Sequence, residues 1–300
     1  MNAFAALKQR LECACNSLEL RENEPMSRHT SFHIGGPVSL MALPQQEQEV
    51  VAAVRAAGEL GLEPFFLGNG SNLLVPDEGV ERFVIKTSHL RACSVEGTTI
   101  TAQGGITLAR LAAFAREHSL TGLEFAHGIP GTLGGAVTMN AGAYGGEMAQ
   151  VVKEVTVLCA DATLCRTRDF DFGYRHSAFS DGSRMILEAR LELTAGDQPE
   201  ITARMEQLAA QRQEKQPLEY PSAGSMFKRP EGCFAAALID QCGLKGLRVG
   251  GAQVSEKHAG FVVNRGGATC RDVLCLVEQV RTAVLAQTGV ELEMEVMVLR

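Results

Sequence analysis

Tryptophan is absent from this 300-residue chain and tyrosine occurs only three times, so stacking on a planar ligand would fall to phenylalanine, histidine or those few tyrosines. Basic residues are in deficit: 28 Lys and Arg against 35 Asp and Glu give a formal charge of −7. That balance offers no basic stripe to displace counterions from a nucleic acid, although a local cationic pocket is compatible with it. No apolar run approaches the roughly 20 residues that span a bilayer, and Met1 to Glu12 carries no apolar signal core. A soluble, cytoplasmic protein is expected. The nine cysteines are odd in number and contain no C-x-x-C pair, which indicates neither a zinc site nor a disulfide framework. They read as small apolar fillers in a reducing compartment.

Against these absences stands one dense feature. The nineteen residues from Gly128 to Gly146 contain seven glycines and no charged side chain. Backbone without a Cβ lets a bound group approach closely and meet N–H donors, a gain that must offset glycine's entropy cost. Lysine is missing from the run, whereas a P-loop would end in Gly-Lys-Ser/Thr to neutralise a terminal phosphate. These amides therefore suit a diphosphate linker that is not itself transferred; a packed glycine-rich turn without a ligand is the alternative. A second glycine loop, Gly68-Asn69-Gly70-Ser71-Asn72, follows the strand-like Pro64 to Leu67 and continues as Leu73-Leu74-Val75. A dinucleotide-binding Rossmann unit would place a helix there and read G-x-G-x-x-G, so that fold is disfavoured.

Periodicity predicts a helix over Gln48–Leu60 and strands at Phe83–Lys86 and Thr98–Ala102. A helix capped by Thr107 should follow, with Leu108, Leu111, Ala112 and Ala115 on one face. Val151–Cys159 and Met185–Leu193 alternate as half-buried strands. A helix over Ile201–Gln213 leads into a polar stretch, Gln211 to Pro217, that reads as an exposed connection. Beyond it the pattern gives a short helix at Phe234–Cys242, strands near Gln253 and Phe261–Asn264, a helix over Arg271–Gln287 and a last strand through Glu291–Leu299. The expected class is α+β. The main boundary is expected near residue 200, with the last strand free to return to the part before it.

Four motifs in order, Thr30-Ser31-Phe32-His33-Ile34-Gly35-Gly36, Leu67 to Leu74, Gly128 to Ala136 and Gly173-Tyr174-Arg175-His176-Ser177, are joined by Tyr220 to Lys228, Gly243 to Gly246 and Val254 to Phe261. Together they closely resemble the UDP-N-acetylenolpyruvoylglucosamine reductase family, over about residues 25–297. The resemblance implies a vanillyl-alcohol-oxidase/PCMH-type FAD-binding fold of two subdomains (1–90 and 91–200) and a C-terminal α+β substrate domain (201–300). It also implies a reaction: NADPH reduces non-covalently held FAD, which converts the enolpyruvyl ether of a UDP sugar to a D-lactyl ether in peptidoglycan precursor synthesis. The short run from Arg175 to Met185 matches the family's shorter form, which lacks a tyrosine-bearing insertion.

Reducing an enol ether that bears a carboxylate builds negative charge that needs a facing cation or proton donor. The resemblance assigns the carboxylate grip to Arg175, whose planar fork can make two parallel hydrogen bonds. It assigns proton delivery to Ser225 as general acid and an orienting or polarising role to Glu295, which alternation would place on one face with Glu293. The usual Pro before that Glu and Arg after the following Val are here Met294 and Met297. For FAD, the resemblance and the backbone argument converge on Gly68, Asn69, Gly70, Ser71 and Asn72, and on Gly128, Ile129, Pro130, Gly131, Thr132, Gly134, Gly135, Asn140 and Gly142. The side chains of Asn69, Ser71, Asn72 and Thr132 would face the diphosphate and ribityl chain, with Asn140 toward the ring. Tyr174 and Lys228 are candidate contacts to substrate phosphates or NADPH. No metal is expected, and His33 and His127, which flank the glycine segments, are not expected to bond FAD covalently. An FAD oxidase of the same broad fold would share the glycine segments without needing Arg175, Ser225 and Glu295 together; a non-catalytic flavin- or nucleotide-binding regulator is the third possibility.

Overall fold

In the computed structural model, which describes residues 3–300, the helix expected after Thr107 runs Leu108–Glu117. Met1 and Asn2 of the amino-terminal segment lie outside the described residues. The Thr107 hydroxyl accepts the Arg110 N–H at 3.3 Å and so satisfies a donor that the first turn leaves unpaired. Three- and four-residue spacing puts Leu108, Leu111, Ala112 and Ala115 on one buried face. They share a core with Ile100, Ala102, Ala189 and Leu191. Those four come from a five-stranded antiparallel sheet ordered Leu164–Thr167, Val152–Leu158, Met185–Glu192, Thr99–Gln103 and Cys93–Glu96. Its register sets Ala189 opposite Ala102 and Leu191 opposite Ile100, which keeps the apolar positions on one side.

The chain divides into two compact units. Among the described residues, the first comprises 3–22, Ser39–Asn69 and Arg82–Gln211. Besides the five-stranded sheet it holds the helices Ala3–Ala14 and Glu47–Gly58, whose Leu7, Leu11, Val50 and Val54 join Phe83 and Ile85 in one core. A four-stranded sheet orders Glu19–Pro25, Pro37–Leu43, Val80–Lys86 and Pro64–Leu67, the last two pairing parallel with Leu67 opposite Lys86. The sequence had given no sign of Ala3–Ala14 or of Glu19–Pro25, a strand of mostly charged residues with a single buried position.

The second unit comprises Asn23–Val38, Gly70–Glu81 and Arg212–Arg300. A three-stranded antiparallel sheet of Arg248–Val249, Ala252–Val254 and Val262–Asn264 carries the helix Cys270–Thr288, which buries Val273, Leu276, Val277, Val280 and Val284. Phe32, Ile34 and Leu74, from the two short early segments, complete that core.

Two expectations need correction. The stretch from Gln211 is not a loop: the helix runs Gln198–Lys215, because Gln, Arg, Glu and Lys favour helix and the ends carry Glu200 early and Arg212 and Lys215 late, matching the helix dipole. Nor is Glu291–Leu299 one strand; Met294 makes a single antiparallel bridge to Phe227, while Met297–Val298 pairs parallel with Leu73–Leu74. The backbone groups before it go elsewhere, the Leu292 carbonyl to the Arg281 Nε–H at 3.0 Å and the Glu295 N–H to the Met226 carbonyl at 2.9 Å. With partners on different elements, the segment cannot form a single ladder.

The Cys270–Thr288 helix begins in a capping box, Thr269 accepting the Asp272 N–H at 3.0 Å and Asp272 the Thr269 N–H at 3.1 Å. The hydrogen bond from the Thr269 N–H, with others, holds the Asp272 carboxyl below its ordinary value of 3.8. A depressed folded value means that this stabilisation is full above the unfolded value and lost as pH falls through the folded one. Thr269→Ala should lower the unfolding free energy by about 1 kcal/mol in urea titrations. Asp272→Asn should cost a similar amount at neutral pH, and its deficit against the parent should shrink in acid below pH 3.8.

Candidate active site

The glycine run is stitched to the loop before the Leu108–Glu117 helix. The Gly131 carbonyl accepts the Leu108 N–H at 3.0 Å, the Leu133 N–H reaches the Ile106 carbonyl at 2.9 Å, and the Gly134 N–H reaches the Gly104 carbonyl at 2.8 Å. Part of the run is a short helix, Leu133–Thr138, which the sequence did not reveal. Some of its glycines and amides therefore serve packing, as the ligand-free alternative would have all of them do.

Two contacts go further than packing of the run on itself. A Cβ on Gly68 would lie 2.4 Å from the Thr132 Oγ1, so only glycine admits this approach. Beside it, the Asn69 Nδ2 donates to the Pro130 carbonyl at 3.0 Å. The first unit thus brings Gly68 and Asn69 against Pro130 and Thr132, joining the two segments that the sequence had assigned separately to one cofactor. Thr132 is 2 % exposed and stands in extended backbone before the short helix, yet its side chain makes no cap hydrogen bond. A hydroxyl that does not cap its own helix, packed against a glycine, is compatible with a closely held polar ligand.

Asn140, expected toward a ring, makes hydrogen bonds of its own within the protein. It is buried at φ 41°, its Oδ1 accepts the Ala149 N–H at 3.0 Å and its Nδ2 donates to the Gly173 carbonyl at 3.1 Å. Ser177, 1 % exposed, donates to the Thr138 carbonyl at 2.8 Å, and Ser180 donates to the same oxygen at 3.1 Å. The glycine run therefore anchors a tight turn on both sides. In that turn Gly173 and His176 exchange N–H···O bonds of 3.1 and 3.3 Å, leaving Tyr174 and Arg175 at the tip.

Arg175 adopts φ 54°. A left-handed backbone at the third turn position ordinarily selects Gly or Asn, so arginine here costs about 1 kcal/mol. Strain of this kind persists where the side chain is needed and the surroundings hold it. Tyr174 is 54 % exposed, with the Arg175 guanidinium carbon 5.2 Å from its ring centroid. Ser177 and Ser180 had been assigned no role, although Ser177 closes the Gly173–Ser177 motif; no local pattern announces a bond to Thr138.

The second unit carries the remaining candidates. Ser225 follows Gly224 at φ 81° and bridges to Phe261; it is half-buried between Ala223 and Met226, both buried. Met226 donates its N–H to the Gly260 carbonyl at 2.8 Å and accepts the Glu295 N–H at 2.9 Å, so Glu295 is fastened one residue from Ser225. His258 shapes the far side of this loop: its Nδ1 accepts the Gly260 N–H at 3.2 Å, and burial holds the ring's pKa below its ordinary value, favouring the neutral acceptor form. Glu293 and Glu295 do not share a fate. Glu293 is exposed and pairs with Lys228 at 2.5 Å, a contact worth about 0–1 kcal/mol at such a surface. Glu295 is half-buried and pinned by its backbone.

Gly70, Ser71 and Asn72 also belong to the second unit. Gly70 has φ 59°, and a Cβ there would meet the His29 carbonyl at 2.3 Å; its own carbonyl accepts the Ser31 N–H at 3.2 Å. Ser31 in turn donates through its hydroxyl to the Ser222 carbonyl at 2.7 Å. The Asn72 side chain donates to the Glu295 carbonyl at 3.2 Å. Asn264, a buried residue that the sequence did not single out, donates to the Phe32 carbonyl at 3.1 Å and accepts the Gly266 and Ala268 N–H groups at 2.9 and 3.1 Å.

Two families match the chain in separate spans. Residues 38–168 match a family described as FAD binding domain, and residues 216–299 match one described as UDP-N-acetylenolpyruvoylglucosamine reductase, C-terminal domain. The first span contains Gly68 to Asn72 and Gly128 to Gly142, the second Ser225, Lys228 and Glu295; Tyr174 and Arg175 fall between them. A UDP-N-acetylenolpyruvoylglucosamine reductase of Caldanaerobacter subterraneus subsp. tengcongensis is 48% identical over 276 residues, covering 91% of each chain. One from Clostridium perfringens is 43% identical over 301 residues, covering 100% of this chain and 99% of the relative. The crystal structure of the enzyme from Thermus caldophilus superposes with a TM-score of 0.81 at 36% identity, over 94% of this chain and 99% of that one. The α+β architecture and its FAD-binding part are those expected.

The Gly68–Thr132 approach gives a direct test. Gly68→Ala places a methyl 2.4 Å from the Thr132 hydroxyl and should yield folded protein whose visible flavin absorbance per polypeptide falls by about 10-fold or more after desalting. Retention of flavin at the parent level would show that this contact does not shape the cofactor site.

Proposed function

The chain belongs to the UDP-N-acetylenolpyruvoylglucosamine reductase family, and from that premise we propose which of its residues carry the reaction. It is a flavin-dependent oxidoreductase of peptidoglycan precursor synthesis that reduces UDP-N-acetyl-3-O-(1-carboxyvinyl)-glucosamine to UDP-N-acetylmuramate at the expense of NADPH. FAD, held by the residues assigned below, would supply the hydride chemistry that links NADPH to the enolpyruvyl double bond.

The chain's own side chains must then hold the substrate carboxylate, stabilise the charge that builds on it and deliver one proton to the carbon that bears it. We assign the first task to Arg175. Its guanidinium is always charged and matches a carboxylate in two parallel hydrogen bonds, and the anchored turn accounts for an arginine tolerated in left-handed backbone. We assign the proton to Ser225. A serine hydroxyl is a weak acid, so the transfer relies on a strongly basic acceptor and on neighbouring groups that replace the proton or support the charge. Glu295 is the neighbour we assign, and the hydrogen bond from its N–H to the Met226 carbonyl is the observation that carries this assignment, because it fastens Glu295 beside Ser225. The Lys228–Glu293 pair supports a surface role for Glu293.

For FAD we propose that Gly68 and Asn69 with Gly128 to Gly142 surround the diphosphate and ribityl chain, with the Thr132 hydroxyl as a direct donor and Gly70, Ser71 and Asn72 continuing the loop. Asn140 we assign to holding the Arg175 turn rather than to the ring. Tyr174, exposed beside Arg175, remains our candidate for substrate or NADPH contact, and Lys228 for a substrate phosphate. The three-part division at residues 90 and 200 is retained as the functional one, two parts for FAD and one for substrate. A cytoplasmic location is part of the same reading, supported by nine free thiols; no helix among the described residues is long and apolar enough to cross a membrane.

Rapid mixing separates the two halves of the reaction. Ser225→Ala should leave reduction by NADPH nearly intact and slow reoxidation by the enolpyruvyl sugar by about 10³-fold or more; equal damage to both halves would remove the acid assignment. Arg175→Lys should raise KM, because the carboxylate is gripped in the ground state, and also lower kcat, because the charge that builds on it strengthens the grip in the transition state. Arg175→Gly, which relieves the backbone strain, should leave the protein at least as stable as the parent while abolishing turnover.

A further inference from the structure

We propose that Asn72 is a positioning residue for Glu295, acting through the backbone of that residue; the inference rests on the reading of Glu295 as part of the reaction. Sequence alone places Asn72 in the glycine loop beside the cofactor. In the structure its side-chain amide donates to the Glu295 carbonyl at 3.2 Å, and its main-chain carbonyl accepts the Met297 N–H at 3.1 Å. Leu73 and Leu74 then pair in parallel with Met297 and Val298, and the Leu299 N–H closes on the Leu74 carbonyl at 2.9 Å. Asn72 is thus the first link of a ladder that fixes the register of the carboxyl-terminal segment against the glycine loop.

Register alone would not orient Glu295, because the chain bends at Val296, before the paired residues begin. Orientation comes from holding both peptide groups. The Glu295 N–H is held by the Met226 carbonyl at 2.9 Å and its carbonyl by Asn72, so the two planes that meet at its Cα are pinned and the direction of its Cα–Cβ bond is set. The same two loops are joined a second time through Ser31, whose N–H reaches the Gly70 carbonyl and whose hydroxyl reaches the Ser222 carbonyl. Gly70 to Asn72 and Ser222 to Met226 form a closed circuit in which Glu295 is one joint and Ser31 the other. Aspartate at position 72 would preserve shape but set a carboxylate against a carbonyl oxygen, with no donor between them.

The test uses the FAD-loaded enzyme and measures flavin retention and both half-reactions for Asn72→Asp, Glu295→Gln and the double variant. With flavin supplied at saturation, Asn72→Asp should slow reoxidation by the enolpyruvyl sugar about 10²-fold more than it slows the NADPH half-reaction, the scale of a 1 Å misplacement. Since both residues act through one carboxyl group, the double variant should reoxidise no more slowly than Glu295→Gln alone. Multiplying effects would overturn the positioning role while leaving the role of Glu295 intact, as would loss of flavin from Asn72→Asp with unchanged reoxidation. A Glu295→Gln variant that reoxidises at the parental rate would instead remove the reading of Glu295, and this inference with it. If Asn72→Asp does not fold, Asn72→Ser, which keeps a shorter donor, takes its place, with a smaller slowing of the same half-reaction expected and the same outcomes decisive.

Discussion

The hydrogen bond from the Glu295 N–H to the Met226 carbonyl sets the terms for the second unit, because neither residue lies in a regular ladder. Irregular chain has no helix or sheet to pair its backbone groups, and each unpaired group that is buried costs about 1–3 kcal/mol. The protein meets that demand by pairing distant loops with one another. Met226 accepts from Glu295 and donates to Gly260, Lys228 donates to the Glu293 carbonyl, and Asn264 donates its N–H to the Pro221 carbonyl. The bonds that satisfy these backbones are the same bonds that place Ser225 and Glu295.

The first unit solves a related problem with glycine. The run from Gly128 threads along the loop at Gly104 to Leu108, so several of its amides are consumed in packing, and what remains for a ligand is the meeting of Gly68 and Asn69 with Pro130 and Thr132. Further along, the same run supplies Thr138 and Asn140 as anchors for the turn that carries Arg175. The cofactor cradle and the carboxylate grip that we propose are consecutive parts of one hydrogen-bonded support. An arginine held in strained backbone by buried polar groups suits the role we propose for Arg175, since its orientation is fixed before substrate arrives.

Regular elements were legible where their signals are local. Thr107 and the Leu108 to Ala115 stripe announced one helix, and the pattern over Arg271–Gln287 announced another, which buries Val273, Leu276, Val277, Val280 and Val284. Alternation found Val152–Leu158 and Met185–Glu192. Leu133–Thr138 escaped because two glycines and two β-branched residues among six argue against helix, and tertiary pairing of Leu133 and Gly134 decided the matter. Glu19–Pro25 escaped because its polar residues carry no period. For the site, the residues themselves showed glycine-rich backbone suited to a diphosphate, whereas Arg175, Ser225 and Glu295 were named only through likeness to a family. The supporting bonds of Asn72 to Glu295, Ser31 to Ser222 and Asn264 to Phe32 join positions far apart in the chain, and no single-sequence pattern encodes them.

Amide hydrogen exchange of the FAD-loaded enzyme, resolved at Glu295, measures the central constraint directly. If its N–H is held by Met226 as part of the folded framework, it should exchange as slowly as the amides of the Cys270–Thr288 helix core, through cooperative opening of the unit. Exchange at the rate of an exposed coil would contradict a Glu295 fixed beside Ser225.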